Sequence, residues 1–271
     1  MKYLNIIFKS FVDFFKDGGI MLAGSLSYFI MMAFIPLCIF LFTILGYILG
    51  HYQGVYEFLL FRMVNFFPDV ASGITKEIAK LIQFKGIGTV SLLLYAILSY
   101  QVFASIENAL NIIFEIKKKR MLIWSILISM LIITLIILIL CISFIATSLI
   151  PLIKALKKTF PNIHVGIITF FLIRYAIPFL IIFLLVFISY TFFPKIKVKI
   201  SYALIGSLFT SILLEIAKNI FTWYVGSVIK FGSIYGPLTA FIIFLLWLFY
   251  SSCIFLIGAE LVHNLITYKK K

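Results

Sequence analysis

Between the basic cluster Lys117-Lys118-Lys119-Arg120 and Lys154 the chain carries no charged residue. The stretch from Met121 to Ile153 is built almost entirely from Ile, Leu, Ser, Thr, Phe and Cys. It exceeds the roughly 20 apolar residues needed to cross a bilayer core of about 30 Å. It is also too long for a core helix of a soluble domain. The basic cluster at its start marks the end that stays in the cytoplasm. A chain built this way is expected to be a polytopic membrane protein.

Composition agrees where it bears on this point. Hydrophobic residues make up 64% of the 271 and charged residues 12%, against about a quarter charged in soluble chains. The net charge of +14 does not imply a nucleic-acid partner, because the bases gather at the seams between apolar runs, where topology requires them. Cys38, Cys141 and Cys253 all lie inside apolar runs, so they read as small buried hydrophobes rather than as a disulfide or metal framework.

The same argument along the chain predicts an all-α bundle of six transmembrane helices at about 20–49, 88–113, 122–150, 166–193, 200–225 and 235–266. Helices are required because backbone groups in lipid must be satisfied within the segment or in a closed barrel, and no period-two alternation suggests barrel strands. With both termini in the cytoplasm, thirteen of the 23 bases fall on the inner side and eight on the outer. The expected orientation therefore has the N-terminus and C-terminus both inside.

Residues 1–19 do not read as a cleavable signal peptide, since Lys, Asp and Asn interrupt each apolar stretch. On a helical wheel Leu4, Ile7, Phe8, Phe11, Phe14 and Phe15 share one face, while Lys2, Asn5, Lys9, Asp13 and Lys16 share the other. That pattern predicts an amphipathic helix lying in the cytoplasmic interface. Within the long loop after the first span, Val70, Ile74, Ile78 and Leu81 recur at helical spacing behind a capping Asp69. Short extracytoplasmic helices are expected there. Gly46, Gly50 and Gly54 would allow close helix contact, including that of a homo-oligomer.

Ionisable residues inside spans are costly and therefore mark candidate sites. Arg174, Glu215 and Lys218 form an expected outer polar site. Arg174 lies about 12 Å and Lys218 about 10 Å from the outer ends of their spans. Glu215 and Lys218, three apart, can pair on one face. Two cations against one anion would suit a phosphate or carboxylate. Glu107 with Asn111, and Glu260 with Asn264, form an expected inner polar layer. Each pair shares a helical face about 9 Å from the inner end of its span. The amides would donate to the carboxylates in an inner gate. Pro36 and Pro178 fall near the middles of spans one and four, where each would kink its helix. HExxH, GxSxG and Walker A patterns are absent, so no enzyme, cofactor or metal is expected.

Three ordered blocks carry a family resemblance. The stretch Gly232-Ser-Ile-Tyr-Gly-Pro-Leu-Thr-Ala-Phe, with Tyr235 and Gly236, continues to Trp247, Tyr250 and Gly258-Ala259-Glu260-Leu261. Ala23-Gly-Ser-Leu-Ser-Tyr-Phe, with Ser25 and Tyr28, precedes Pro36, and Glu107-Asn-Ala-Leu-Asn-Ile-Ile-Phe114 closes the second span. Together they resemble the YihY/BrkB family. That resemblance implies a six-helix bacterial inner-membrane protein, sometimes labelled a virulence or serum-resistance factor and once misassigned as ribonuclease BN. No carboxylate cluster or histidine pair facing the cytoplasm supports a nuclease. The expected function is a transporter-like or flippase-like protein for an anionic or amphiphilic substrate, such as an anionic lipid or a small-molecule anion. The alternative is a non-transporting envelope scaffold. The partners expected are the bilayer, an anionic lipid or small-molecule anion and a second copy of the chain, and no nucleic acid.

The distribution of bases predicts a labelling pattern. Single cysteines at Lys118 and Lys197 are shielded from an impermeant thiol reagent in intact cells, whereas one at Lys76 reacts. Labelling at Lys197 but not at Lys76 would reverse the orientation.

Overall fold

The computed structural model describes residues 2–49, 87–116, 176–194, 196–228 and 238–268. Among these residues the only regular structure is helix: α1 (Lys2–Lys16), α2 (Gly19–Leu49), α3 (Ile87–Ile113), α4 (Ile177–Phe192), α5 (Ile200–Val228) and α6 (Leu238–Tyr268). The expected spans one, two, five and six correspond to α2, α3, α5 and α6, and span four contains α4. Span three and the helices expected in the loop before Ile87 lie outside the described residues. By length and composition two described helices suffice to cross a membrane, Ile200–Tyr224 and Phe241–Tyr268. A bent pair, Asn5–Lys16 with Gly19–Phe34, qualifies as a third when counted as one span.

The break between α1 and α2 has a local cause. Gly18 takes a φ of +69°, the left-handed conformation that ends helices and costs glycine least. Its N–H bonds the carbonyl of Phe15, and the helix direction changes by 73°. The end of α3 uses the same device without glycine. Glu115 has a φ of +53°, its N–H bonds the Ile112 carbonyl at 3.0 Å, and the N–H of Ile116 bonds the Asn111 carbonyl at 2.8 Å. This is a Schellman ending, which satisfies carbonyls that would otherwise be orphaned in an apolar setting.

The chain divides into two compact units. The first comprises Met1–Gly19, Glu107–Ile216 and Ile254–Lys271, and the second Ile20–Ile106 and Ala217–Cys253. In the second, Phe34 of α2 packs against Phe244 of α6 with ring centroids 4.9 Å apart, and Phe221 of α5 packs against Trp247 of α6 at 5.1 Å. Ser25 and Ser105 bring their hydroxyls within 3.4 Å.

Helix α5 is turned inside out relative to a soluble helix. Leu204, Leu208, Ile212, Ile216 and Ile220 are exposed at four-residue spacing, while Ser207, Thr210 and Ser211 are buried. Such a pattern is expected where lipid is the solvent, because small and weakly polar residues then belong between helices. Most of the buried hydroxyls stay satisfied by bonding back along their own helices, as Ser10 does to Ile6, Ser189 to Leu185 and Thr210 to Gly206.

The core of the first unit is a junction of α4, α5 and α6. The Tyr190 hydroxyl donates to the Phe255 carbonyl at 2.5 Å and lies 2.9 Å from the Thr210 hydroxyl. Glycine makes this approach feasible. A Cβ added at Gly258 would collide with the Thr210 and Tyr190 oxygens, and one at Gly206 with the Val262 side chain.

Gly258→Ala is therefore expected to destabilise the protein by about 1–3 kcal/mol through overpacking. Gly24→Ala, where an added Cβ meets nothing within 4 Å, should be neutral or slightly stabilising. Thermal unfolding of the two variants in detergent measures the contrast.

Candidate functional site

The inner polar residues occupy the first unit. Glu260 is 1% exposed, Asn264 3% and Glu107 6%, so none of the three faces lipid. Just past the end of α3, Phe114 packs edge-on against His263 of α6 at 5.8 Å.

Asn264 does not serve Glu260. Its amide nitrogen donates to the Ser10 hydroxyl at 3.2 Å and to the Asp13 carboxylate at 3.0 Å, and its oxygen accepts from Lys9 Nζ at 2.6 Å. Lys9 also pairs with Asp13 at 3.4 Å. All three groups lie on α1, so the amide of the last helix holds the first one. An apolar patch seals the contact, with Ile6 packed on Leu261 and Leu265. The sequence expectation that Asn264 donates to a carboxylate holds only in kind. The carboxylate is that of Asp13, since α1 offers two acceptors and a cation together, leaving no N–H for Glu260.

Two acceptors are left over. Glu260 Oε1 and Asn111 Oδ1 are buried without a hydrogen-bond partner. The charges acting on Glu260 belong to Asp17, Asp13 and Lys9, which again come from the N-terminal segment. Among the described residues no group of three His, Cys, Asp or Glu side chains could hold a metal ion.

Of the expected outer site, Arg174 lies outside the described residues. Glu215 is half-buried on α5 and Lys218 is exposed. Pro178 falls near the start of the described part of α4, and Ala176 before it is already helical, so the stretch on which the expected kink depends lies largely outside the described residues. The motif residues are placed as follows where described. Gly258 forms the three-helix junction, Trp247 packs on Phe221, Ser25 meets Ser105, and Tyr28 is exposed beside Phe29. Pro36 lies within α2, while Tyr235 and Gly236 fall outside the described residues.

Sequence reasoning missed Ser10 and Asp13 as partners of the inner layer. One signal was available. Ser10 lies four residues from both Ile6 and Phe14, placing a hydroxyl in the middle of an apolar helical face.

If the α1 contact is built on Asn264, then Asn264→Ala should cost about 1–3 kcal/mol by leaving buried groups unpaired. Adding Ser10→Ala should cost less than the sum of the single changes. A double-mutant cycle on thermal unfolding checks this, and strict additivity would remove the coupling.

Comparison with known proteins fits this architecture. The sequence pattern of the family described as "Virulence factor BrkB" matches residues 10–270. A "UPF0761 membrane protein" of Pseudoalteromonas atlantica is 28% identical over 266 residues, covering 96% of this chain and 85% of that protein. One of the same description in Coxiella burnetii (strain RSA 493 / Nine Mile phase I) is 30% identical over 264 residues, covering 93% and 90%. A third, in Mannheimia succiniciproducens, is 27% identical over 266 residues, covering 96% and 90%. No solved structure matches the chain. With nearly its whole length matched, this chain is a membrane protein belonging to the BrkB family.

Proposed function

We propose that the protein is a transporter-like or flippase-like membrane protein for an anionic or amphiphilic substrate such as a lipid, with Glu107, Asn111 and Glu260 as its inner gate. The observation that carries this reading is the Glu260 carboxyl, fully buried with one oxygen unpartnered. A buried polar atom without a partner costs about 1–3 kcal/mol. In a purely static bundle nothing offsets that cost. In a gate, the acceptor is satisfied when water or a substrate headgroup enters.

Glu260 Oε1 and Asn111 Oδ1 are both acceptors, which favours a headgroup bearing hydroxyl or ammonium donors. An anionic lipid with a hydroxylated headgroup meets this need. The scaffold reading has one observation in its favour, the close-packed junction at Tyr190, Thr210 and Gly258. Such packing suits a rigid body.

Proteoliposomes separate the two. In the transport reading, reconstituted protein moves fluorescently labelled phosphatidylglycerol between leaflets faster than protein-free vesicles do. Glu260→Gln and Glu107→Gln lower that rate severalfold without loss of folded protein. Equal rates with and without the wild-type protein, across labelled lipids and small anions, favour the scaffold.

A further inference from the structure

Helix α1 has three faces, not two. At 100° per residue, Ile6, Ser10, Asp13 and Phe14 fall on one sector, and this is the face docked on α6: Ser10 is fully buried, Ile6 and Phe14 nearly so, and Asp13 holds Asn264. Phe8, Phe11 and Phe15 fall together on a second, narrow sector. They are 72%, 36% and 63% exposed. Asn5, Lys9 and Lys16 fall on a third, and all three are exposed. Lys9 keeps 59% of its side chain accessible while holding Asn264 and Asp13.

The three sectors ask for three surroundings. The first is satisfied by protein. The second needs an apolar medium, because three large rings stand free in one stripe. The third needs water and anions. A helix lying along a bilayer surface beside its own bundle meets all of these at once, with the rings below the headgroups and the ammonium groups at phosphate level. The 73° change of direction at Gly18 separates α1 from the course of the following span.

We propose that the Phe8–Phe11–Phe15 stripe and the Lys9–Lys16 edge form a binding surface for anionic phospholipid of the leaflet that borders α1. By the distribution of bases this is the cytoplasmic leaflet. The occupant follows from charge complementarity. A second copy of the chain would bring another basic edge against this one, whereas lipid phosphates complement the basic edge while the acyl chains cover the rings. The surface is separate from the proposed gate and binds its lipid whether or not the protein transports. Because the docked face clasps Asn264, one turn from Glu260, lipid held here also fixes the polar end of α6.

Full-length protein carrying p-benzoylphenylalanine in place of Phe11, and separately of Phe15, tests this in vesicles of equal phosphatidylcholine and phosphatidylglycerol with identical acyl chains. After irradiation, intact mass reports what each ring touched. The expected result is lipid adducts, with phosphatidylglycerol favoured. Each lysine removed should lower that preference about fivefold, and high salt should lower it as well. Lys16→Gln is the informative variant, since Lys9→Gln also loosens the clasp on Asn264. Adducts to a second copy of the chain, or no lipid adduct at either position, overturn the proposal. So does an equal yield of the two lipids that neither Lys16→Gln nor salt alters.

Discussion

Lipid tails are as apolar as leucine, so apolar surface alone gives helices in a bilayer no reason to associate. Close approach and internal hydrogen bonds must do so instead. In this protein that requirement converges where Gly258 admits the Thr210 and Tyr190 hydroxyls. The rest of the first unit is referred to this point. It fixes α5 against α6 in antiparallel register, with Gly206 opposite Val262 and Tyr202 and Phe209 against the cluster at Leu261 and Leu265. It thereby sets the rotation of α6, and that rotation decides which way Glu260 and Asn264 point.

The polar end of α6 illustrates how a buried group chooses among partners. Glu260 and Asn264 share a face of one helix and were positioned to bond each other. A primary amide, however, has two N–H groups and one oxygen, and α1 supplies a complement to each: Ser10, Asp13 and Lys9. Charge-assisted bonds are the stronger ones, so the amide is spent on the neighbouring helix. What remains is a carboxyl with one oxygen unserved, while a second acceptor, Asn111 Oδ1 on α3, is likewise buried without a partner. The proposed gate is in this sense a by-product of the clasp.

Charge-free length and periodicity made the helices legible. Four of the expected spans overlap α2, α3, α5 and α6, and the ends at Ile113 and Ile200 fall where the apolar runs were expected to stop and start. The leader helix was legible too, since its period is clear. Its orientation was not. A two-sided wheel assigns Lys9 and Asp13 to water and Phe14 to lipid, yet the structure buries Phe14 and gives Asp13 to Asn264. Hydropathy cannot separate a ring that faces lipid from one that faces protein, because both media are apolar. The candidate site was legible as a list of costly residues and illegible as a set of bonds. Nothing within α6 indicates that Asn264 belongs to a segment some 250 positions earlier. The junction at Tyr190 was invisible for a similar reason, as tyrosine and threonine inside spans are ordinary until a glycine is seen to bring them together.

That separation along the chain has a consequence for how the protein is made. The hydrogen bonds from Asn264 to Ser10 and from Lys9 to Asn264 span 254 and 255 positions. Helix α1 therefore emerges first and acquires its partner only with the last turns of the last helix. At 5–20 residues per second the interval is roughly 10–50 s. Throughout it, the docked face of α1, with Ile6, Ser10 and Phe14, has no α6 to cover it. Helix α1 is thus made long before the α6 segment it docks on, and its docked face finds that place only once α6 is complete.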